Sequence, residues 1–336
     1  MASLMDVASA AAVSKSLASR VLSGAPDARV SAQTRQRILD AAKELKYVAN
    51  HRSRALRLSR SGALGLIVPD VNNAVFADLL AGVQARAQQA GMTVLLGQVE
   101  RSDSGHDELE ALVKQGRVDG LVLQRREDFD DEQLCTMLEG LPAVLVNSCS
   151  AGRVGSVVLD DHAGLSVAVK HLVGLGHRDI GHLAGAPQHD AARRRLDGFH
   201  LSMSEAGLPV NPDWIFSSGW EAKGGRTAMT ELLAAQHRPT AVVVGSVNAA
   251  IGALSAALSA GLRVPGQLSV IGINDTWMAE FMVPSVTTVR MPLRELGARA
   301  ANMLVGSLDG NPLSDLVLTD PAPELIIRGS TAPFLA

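Results

Sequence analysis

The sequence contains little cysteine, few aromatic residues and no long apolar run. Its 336 residues include two cysteines, Cys135 and Cys149, and aromatic side chains make up 3%. The two cysteines match neither a metal-ligand spacing nor a disulfide framework, so they are interpreted as ordinary thiols. No stretch of about 18 uncharged apolar residues occurs, and residues 1–12 lack the basic start and apolar run of a signal peptide. The sequence therefore predicts a cytoplasmic protein without a metal site or a membrane segment.

Motifs of catalysis and nucleotide binding are also missing. The chain has no Walker loop, no G-x-S-x-G elbow and no H-E-x-x-H pair, and its histidines are scattered. Gly62-Ala-Leu-Gly65 is not a dinucleotide fingerprint, because its glycines precede a predicted strand instead of following it. An enzyme needs a convergent acid, base or nucleophile, so the sequence favours a binding protein with no enzymatic activity and no cofactor.

Positive charge is concentrated at the N-terminus. Residues 1–60 carry 11 Lys/Arg and 4 Asp/Glu, whereas the remainder carries 20 Lys/Arg and 30 Asp/Glu. A chain of this length is expected to form at least two domains. A basic module joined to an acidic body indicates that only the first part contacts a polyanion. A solvated basic face is the alternative, and charge alone does not separate the two.

Three short helical patterns predict a helical head in the first part. Their apolar stripes are Val7, Ala8 and Ala11; Val13, Leu17, Val21 and Leu22; and Ile38, Ala41, Ala42 and Leu45. Ser14 and Ser31 are the predicted N-caps of the second and third helices. The small residues 10–12 form the connection between helices one and two.

The polar face of the second helix has the side chains of a DNA-recognition helix. These are Ser14, Lys15, Ser16, Ser19 and Arg20. A hydroxyl and free N–H groups at a helix N-terminus can hold a phosphate, and an arginine can bind guanine with two hydrogen bonds in the major groove. A solvated surface helix is the alternative for this pattern taken alone.

From Gly62 onward, strand and helix patterns alternate in two sets. Helices are predicted at 75–90 and 109–115 and between the later strands, and strands at 63–69, 92–97, 120–123, 142–146, 180–184, 241–245 and 268–273. Repeated β-α-β units predict doubly wound parallel sheets. Two such sets predict two lobes with a cleft between them.

Head and body together resemble the LacI/GalR family of transcription regulators. In the head, residues 6–8, 13–22 and 30–38 resemble the family pattern D-V-A…V-S-x-x-T-V-S-R-V-L…V-S-x-x-T-R-x-x-I. In the body, four segments resemble H-L-x-x-L-G-H-x-x-I, R-x-x-G-F, V-x-G-[FY]-D-D and P-x-L-T-T-[VI]; they are residues 172–180, 195–199, 270–275 and 284–289. Several motifs in a fixed order are far more specific than any single motif.

The resemblance implies a fold and its boundaries. The fold class is an all-α helix-turn-helix head plus an α/β periplasmic-binding-protein-like core of two doubly wound lobes. The head would span 1–49, a hinge helix and linker 50–61, and the core 62–336. The first lobe would comprise about 62–160 and 291–320, and the second about 161–290 and 321–330.

The resemblance also implies residue roles on DNA. Lys15 and Ser16 would select bases, and Arg20 would read a base. Contacts with phosphates would come from Ser14, Ser19, Ser31, Thr34 and Asn50. Leu56 would insert into the central minor-groove step as an apolar wedge; an ordinary linker residue is the alternative. Three departures, at Ala12 (usually Gly), Leu17-Ala18 (often Thr-Val) and Ala49 (often Pro), affect turn and hinge geometry.

In the family the effector lies between the lobes, on an aromatic residue and polar groups at strand ends. The implied contacts here are Asp70, Asn73, Phe76, Asn147, Arg195, Trp220, Ser246 and Asn274. Trp220 would stack on a ring, or it caps the core. Sugar-binding members usually carry Asn-Asp at Ser246-Val247 and Asp at Asn274. Since two carboxylates are therefore absent beside an arginine, a negatively charged or less hydroxylated effector is favoured over a neutral hexose.

The predicted function is that of a ligand-responsive transcription repressor. As a homodimer it would bind a near-palindromic operator, and a carbohydrate-derived metabolite (a sugar, sugar acid or sugar phosphate) would change its operator affinity. A periplasmic-type solute-binding protein is the alternative, but it would need a signal peptide and would lack the head. An enzyme on a doubly wound fold is a third interpretation, separable by an assay for turnover.

Overall fold

A computed structural model places most of the chain in two compact units, residues 1–61 and 62–336. The described residues are 2–22, 30–47, 60–98, 113–125, 131–138, 140–149 and 154–334. The predicted contacts Asn50 and Leu56 lie outside them, as do the proposed hinge and residues 109–112 of one predicted helix.

The first unit contains three short helices, α1 (Leu4–Ala10), α2 (Lys15–Leu22) and α3 (Ala32–Glu44). Val7, Ala18 and Ile38, one from each helix, are fully or almost fully buried and share one small apolar core. Ser3 and Asp6 form a capping box at the start of α1, and the hydroxyl of Ser31 accepts a hydrogen bond from the Thr34 N–H at the start of α3. The predicted helical head is therefore present, with its predicted cap on α3.

The first sheet of the second unit has six parallel strands. In sequence order they are β1 (Ala63–Val68), β2 (Thr93–Gln98), β3 (Gly120–Leu123), β4 (Ala143–Val146), β5 (Gly155–Leu159) and β11 (Asp315–Leu318). Their spatial order is β11-β5-β4-β3-β1-β2. The central strands are continuous apolar runs that are buried along their whole length, as expected for a parallel sheet covered on both faces.

The second sheet also has six strands. They are β6 (Ile180–Ala184), β7 (Ile215–Ser217), β8 (Ala241–Val244), β9 (Ser269–Ile273), β10 (Thr287–Arg290) and β12 (Glu324–Ile326). Their spatial order is β12-β10-β9-β8-β6-β7, and only the β10–β12 pair is antiparallel. The chain therefore crosses between the sheets after β5, after β10 and after β11.

Helices pack on the two sheets and begin where strands end. They are α4 (Val75–Gln89), α5 (Asp131–Met137), α6 (Asp161–Gly174), α7 (Asp190–Glu205), α8 (Ala222–Leu233), α9 (Val247–Ser259), α10 (Trp277–Phe281) and α11 (Leu293–Leu308), with a 3-10 turn at Pro212–Trp214. In α4, Gly82 packs so closely on α11 that an added Cβ would lie 1.9 Å from the Arg294 carbonyl oxygen. The loops and helix starts that follow the carboxyl ends of parallel strands are the usual place of a ligand site in such sheets.

The C-terminal segment is held to the second lobe by a buried histidine. The imidazole of His177 is within 2.9 Å of the Thr240 hydroxyl and within 3.0 Å of the Ser269 hydroxyl, and the Ala332 carbonyl lies 3.1 Å from its Nε2. Burial lowers the pKa of this histidine. His177, the second histidine of the H-L-x-x-L-G-H-x-x-I segment, therefore has a structural role. Among the described helices, none is long and apolar enough to cross a membrane.

Candidate DNA-binding helix and effector site

The turn before α2 has a backbone geometry that fixes the direction of this helix. Ala12 has a φ of 50°, in the left-handed region that favours glycine, and this is the position where the family usually has Gly. The Arg37 guanidinium of α3 donates to the Ala11 carbonyl at 3.2 Å, and the Ser14 hydroxyl accepts from the Leu17 N–H at 3.2 Å. Helix α2 is therefore held by a strained turn, an N-cap and a contact from α3.

The polar face of α2 is accessible. Ser14, Lys15, Ser16 and Arg20 are exposed, and Ser19 is half-buried. On the opposite face Ala18 and Val21 are buried in the head core. Ser31 is exposed and Thr34 half-buried at the start of α3, where their hydroxyls are 2.9 Å apart. The predicted DNA-contact residues that the structure describes thus fall on α2 and at the N-terminus of α3.

In the core, the predicted effector residues lie at strand ends of both sheets. Asp70 and Asn73 follow β1, Asn147 follows β4, Ser246 follows β8 and Asn274 follows β9. Asn147 and Asn274 have φ values of 56° and 68°, a conformation that asparagine tolerates better than most residues. The two asparagines therefore make equivalent sharp turns at strand ends in the two lobes.

Arg195 is the most buried of the predicted contacts, with 3% of its surface exposed. Its Nε donates to Asp161 at 2.8 Å, and its Nη1 donates to the Gly245 carbonyl oxygen. Its Cζ lies 5.4 Å from the centroid of the Trp220 ring, within the range of a cation–π contact. Arg195 thus connects the start of α6, the end of β8 and the aromatic ring.

Trp220 is half-buried and fixed from three sides. Its ring packs on Gly185, where an added Cβ would come within 2.5 Å of Cη2. Its Nε1 donates to His189 Nδ1 at 2.8 Å, and its carbonyl accepts from the Ser246 hydroxyl at 3.0 Å. Ser246 is therefore occupied in positioning the tryptophan, and Gly185 is required for the close approach of the ring.

A direct hydrogen bond joins the two lobes near the end of β1. Asn248 Nδ2, in α9, donates to Asn73 Oδ1 at 3.0 Å, and the same oxygen accepts from the Val75 N–H. Asp70 accepts from Asn72 in a local turn, and Phe76 packs against the apolar core. Of the three predicted residues in this loop and helix, Asn73 is thus the one whose side chain hydrogen-bonds to the other lobe within the described residues.

Several buried polar atoms near these strand ends have no hydrogen-bond partner among the residues that the structure describes. They are Gln124 Oε1, Asn147 Oδ1, His162 Nε2, Asn248 Oδ1, Asn274 Oδ1 and Thr276 Oγ1. Leaving a buried polar group unpaired costs about 1–3 kcal/mol of folding free energy. Such groups usually form hydrogen bonds with a bound ligand or an ordered water molecule. Gln124, Asn147 and Asn274 each follow a strand directly, and Thr276 precedes α10.

Sequence reasoning missed three residues that build this region. Asp161 is buried and binds two arginines, Arg194 at 3.0 Å and Arg195 at 2.8 Å. Arg194 also donates to the Asn147 carbonyl of the other lobe at 3.3 Å, and Asn248 forms the Asn73 bond. The adjacent acids Asp160-Asp161 before a helical pattern were the available signal, since Asp160 caps the helix and leaves Asp161 for another role.

A second ionic cluster lies in the second lobe beyond Asn274. Asp275 accepts hydrogen bonds from Thr288, Arg290 and Arg328 at 2.7, 2.9 and 2.8 Å. Burial raises the pKa of this carboxyl, but these hydrogen bonds outweigh it and leave the pKa below its usual value. The cluster ties β9, β10 and the segment after β12 together. Within the described residues no group of three or more metal-ligating side chains occurs.

Comparisons with known proteins agree with this architecture. Residues 3–50 match the family model of bacterial regulatory proteins of the lacI family, and residues 169–331 match a periplasmic binding protein-like domain. The HTH-type transcriptional repressor PurR of Salmonella newport is 34% identical over 341 residues, which cover 99% of this chain and 98% of that protein.

Two solved structures are similar over most of the chain. A LacI family transcriptional regulator from Mycobacterium smegmatis is 51% identical, with a TM-score of 0.77, and covers 80% of this chain and 99% of its own. The Lac repressor dimer bound to operator and the anti-inducer ONPF is 28% identical, with a TM-score of 0.80, and covers 98% of this chain and 99% of its own. The predicted fold class, a helix-turn-helix head with a two-lobed α/β core, is confirmed.

Proposed function

The chain belongs to the LacI family and is a transcriptional repressor with a DNA-binding head and an effector-binding core; on that premise we propose how it works. As a homodimer it binds a near-palindromic operator. A carbohydrate-derived metabolite (a sugar, sugar acid or sugar phosphate) binds between the core lobes and changes operator affinity.

The observation that carries the DNA-binding part is the exposed row of Lys15, Ser16 and Arg20 on one face of α2. In this proposal α2 enters the major groove, where Arg20 reads a base and Lys15 and Ser16 discriminate neighbouring ones. Phosphates are bound by a surrounding set of groups: Ser14, Ser19, Ser31, Thr34 and Asn50. Residues 50–61 form a hinge and linker between the head at 1–49 and the core, and Leu56 wedges a minor-groove step.

The unpartnered polar atoms at the strand ends support an effector site between the lobes. Asn147 and Asn274 each bury an amide oxygen without a partner, and a small molecule that donates hydrogen bonds would satisfy both. Arg195 and Trp220 provide a charged group and a ring face beside them. The remaining proposed contacts are Asp70, Asn73, Phe76 and Ser246.

Exposed apolar side chains support association with a second copy of the chain. Phe281 and Val283 are 73% and 83% exposed, and the ring of Phe281 lies 6.3 Å from that of Trp277. Leu95 and Leu96 on the edge strand β2 are also exposed. Exposed large apolar side chains such as the Trp277–Phe281 pair are typical of protein interfaces, and the similar Lac repressor was solved as a dimer on operator.

DNA selection with the full-length protein tests the proposal. Genomic fragments retained by the protein are sequenced, and the bound site is mapped by footprinting. The proposal predicts a protected site with two symmetric half-sites about one helical turn apart. As a matched control, inverting one half-site should weaken binding, since both heads can no longer be engaged. Retention of fragments without a shared symmetric site would contradict the proposal.

A further inference from the structure

Two consecutive arginines in α7 share a single buried carboxylate. Arg194 Nε binds Asp161 Oδ2 at 3.0 Å, and Arg195 Nε binds Asp161 Oδ1 at 2.8 Å. The side chains of Asp161 and Arg195 are 1% and 4% exposed, whereas that of Arg194 is 28% exposed. The three groups together carry one uncompensated positive charge, and its accessible part is the Arg194 guanidinium.

No other acid neutralises this charge within the described parts of the chain. Within the described residues, the remaining hydrogen bonds of the two guanidinium groups go to backbone carbonyls, that of Asn147 for Arg194 and that of Gly245 for Arg195. The neighbouring acid Asp190 is paired with Arg193 and also accepts from the Cys149 N–H at 2.8 Å. Carbonyl dipoles stabilise a cation but do not cancel its charge, so an anion here gains Coulomb energy in a site partly shielded from water.

The hydrogen-bond acceptors beside this charge indicate what else the ligand carries. The backbone carbonyl oxygen of Asn147 accepts a hydrogen bond from Arg194. Its side-chain Oδ1 is buried and has no hydrogen-bond partner among the described residues. Asn274, 6% exposed, also has an unpartnered Oδ1. Whichever way these amides are turned they are neutral, and their oxygens need donors such as hydroxyl groups. Asp70, the one carboxylate among the proposed effector contacts, already accepts two hydrogen bonds from Asn72 through its Oδ1.

We propose that the effector is a hydroxylated monocarboxylate, a sugar acid, whose carboxylate docks on Arg194 beside the Arg195–Asp161 pair. This inference rests on the proposed function, because it places the ligand in the same inter-lobe site. One negative charge matches the single net positive charge, and a guanidinium binds a carboxylate through two parallel hydrogen bonds. Hydroxyl groups of the acid donate to Asn147 and Asn274. A neutral hexose would leave the net positive charge of the three side chains uncompensated. A phosphate dianion would bring two negative charges to a site with one net positive charge.

Isothermal titration of the full-length protein tests this proposal with D-gluconate, D-galacturonate, D-glucose and glucose 6-phosphate as probes. We expect at least one acid to bind at least tenfold more tightly than glucose and glucose 6-phosphate. Arg194→Gln should weaken binding of that acid at least tenfold, whereas Arg194→Lys, which keeps the charge, should retain more of the affinity. Arg178→Gln is the matched control, because Arg178 is an exposed arginine of the same lobe that donates to the backbone carbonyls of Val173 and His177.

The outcomes separate this inference from the proposed function. Failure of both acids to bind, equal or tighter binding of glucose or glucose 6-phosphate, or an unchanged affinity in Arg194→Gln would overturn the sugar-acid assignment. Operator binding is measured on the same protein preparation. If the protein still binds a symmetric operator, only the ligand class is wrong; if it binds none, the proposed function itself fails.

Discussion

At the level of single residues, His182 illustrates how strongly burial controls protonation in the second lobe. Its side chain is fully buried in β6 and stacks on Phe199 with ring centroids 4.8 Å apart. Nδ1 donates to the Val243 carbonyl at 2.9 Å, while Nε2 has no partner. Burial lowers the pKa of His182 to about 4, with smaller contributions from nearby positive groups, because a second proton on Nε2 would have no acceptor.

This pKa predicts acid sensitivity of the folded core. The unfolded chain takes up a proton near pH 6.5 and the folded chain only near pH 4, so the free energy of unfolding falls as the pH falls through this window. The loss should reach about 3 kcal/mol. Urea unfolding of the wild type and His182→Gln at several pH values measures it. The free energy of unfolding of the variant should fall less than that of the wild type, by about this amount, as the pH is lowered. Equal losses in both proteins would show that His182 is not the source of the acid sensitivity.

Asp161 provides a second prediction at the residue scale. Asp161→Asn removes the charge shared by Arg194 and Arg195 and leaves the buried Arg195 without an ionic partner. Breaking a buried pair in this way costs about 3–5 kcal/mol. The adjacent Asp160→Asn is the matched control: Asp160 caps α6 through the Ala163 N–H, and asparagine is an equally good cap. Denaturant unfolding should show a large loss for the first variant and almost none for the second; similar losses would count against the shared-carboxylate geometry.

At the level of elements, the turn between α1 and α2 is strained by its alanine. Ala12 has a φ of 50°, which costs an alanine about 1–2 kcal/mol relative to its preferred conformations and costs glycine little. Ala12→Gly should therefore stabilise the head by about 1 kcal/mol. Ala10→Gly, at the last residue of α1, should destabilise it by about 0.5–1 kcal/mol. The hydrogen-exchange protection of α1 and α2 peptides reports both changes in stability. An increase in both variants, or a decrease in both, would contradict the assignment of strain to the turn at Ala12.

The elements themselves were largely predictable from sequence, because each is encoded by a local pattern. Of the seven predicted strands, those at 120–123 and 180–184 have their predicted bounds and the other five differ by one residue at one or both ends. Five further strands, β5, β7, β10, β11 and β12, were not predicted. Strands that are buried on both faces of a parallel sheet can be recognised in the sequence, because they are nearly continuous apolar runs. The two sets of β-α-β units predicted two lobes, and the family resemblance then supplied which segments belong to each lobe.

The connections within the candidate site were not predictable in this way. Asp161 meets Arg194 and Arg195 across more than 30 positions, and Asn248 meets Asn73 across 175. No periodicity encodes contacts between such distant residues, since they depend on how the helices begin at facing strand ends. The family resemblance predicted Arg195 and Asn73 as effector contacts, but their partners within the protein and the sharing of one carboxylate by two arginines required the fold.

At the level of the whole molecule, the exposed apolar surface around α10 predicts self-association. Phe281→Asp places a charge at a site that the proposed dimer would bury, whereas the side chain is 73% exposed in the single chain. The variant should therefore fold but dissociate, with a loss of dimer affinity of at least tenfold. Leu201→Asp, on the exposed face of α7, is the matched control and should leave association unchanged. Analytical ultracentrifugation distinguishes the two, and an intact Phe281→Asp dimer would exclude this surface.

The DNA-binding head and the effector core form one regulator only if α2 reads operator sequence. The most direct measurement is the dissociation constant of the full-length protein for its selected operator at one fixed salt concentration. Arg20→Gln should lose about 1–3 kcal/mol of specific binding, that is about 5- to 150-fold, while its affinity for unrelated DNA changes much less. Lys43→Gln, an exposed lysine near the end of α3, should keep operator affinity within about threefold, as expected for the loss of one non-specific charge. An Arg20→Gln variant with wild-type operator affinity would contradict the account.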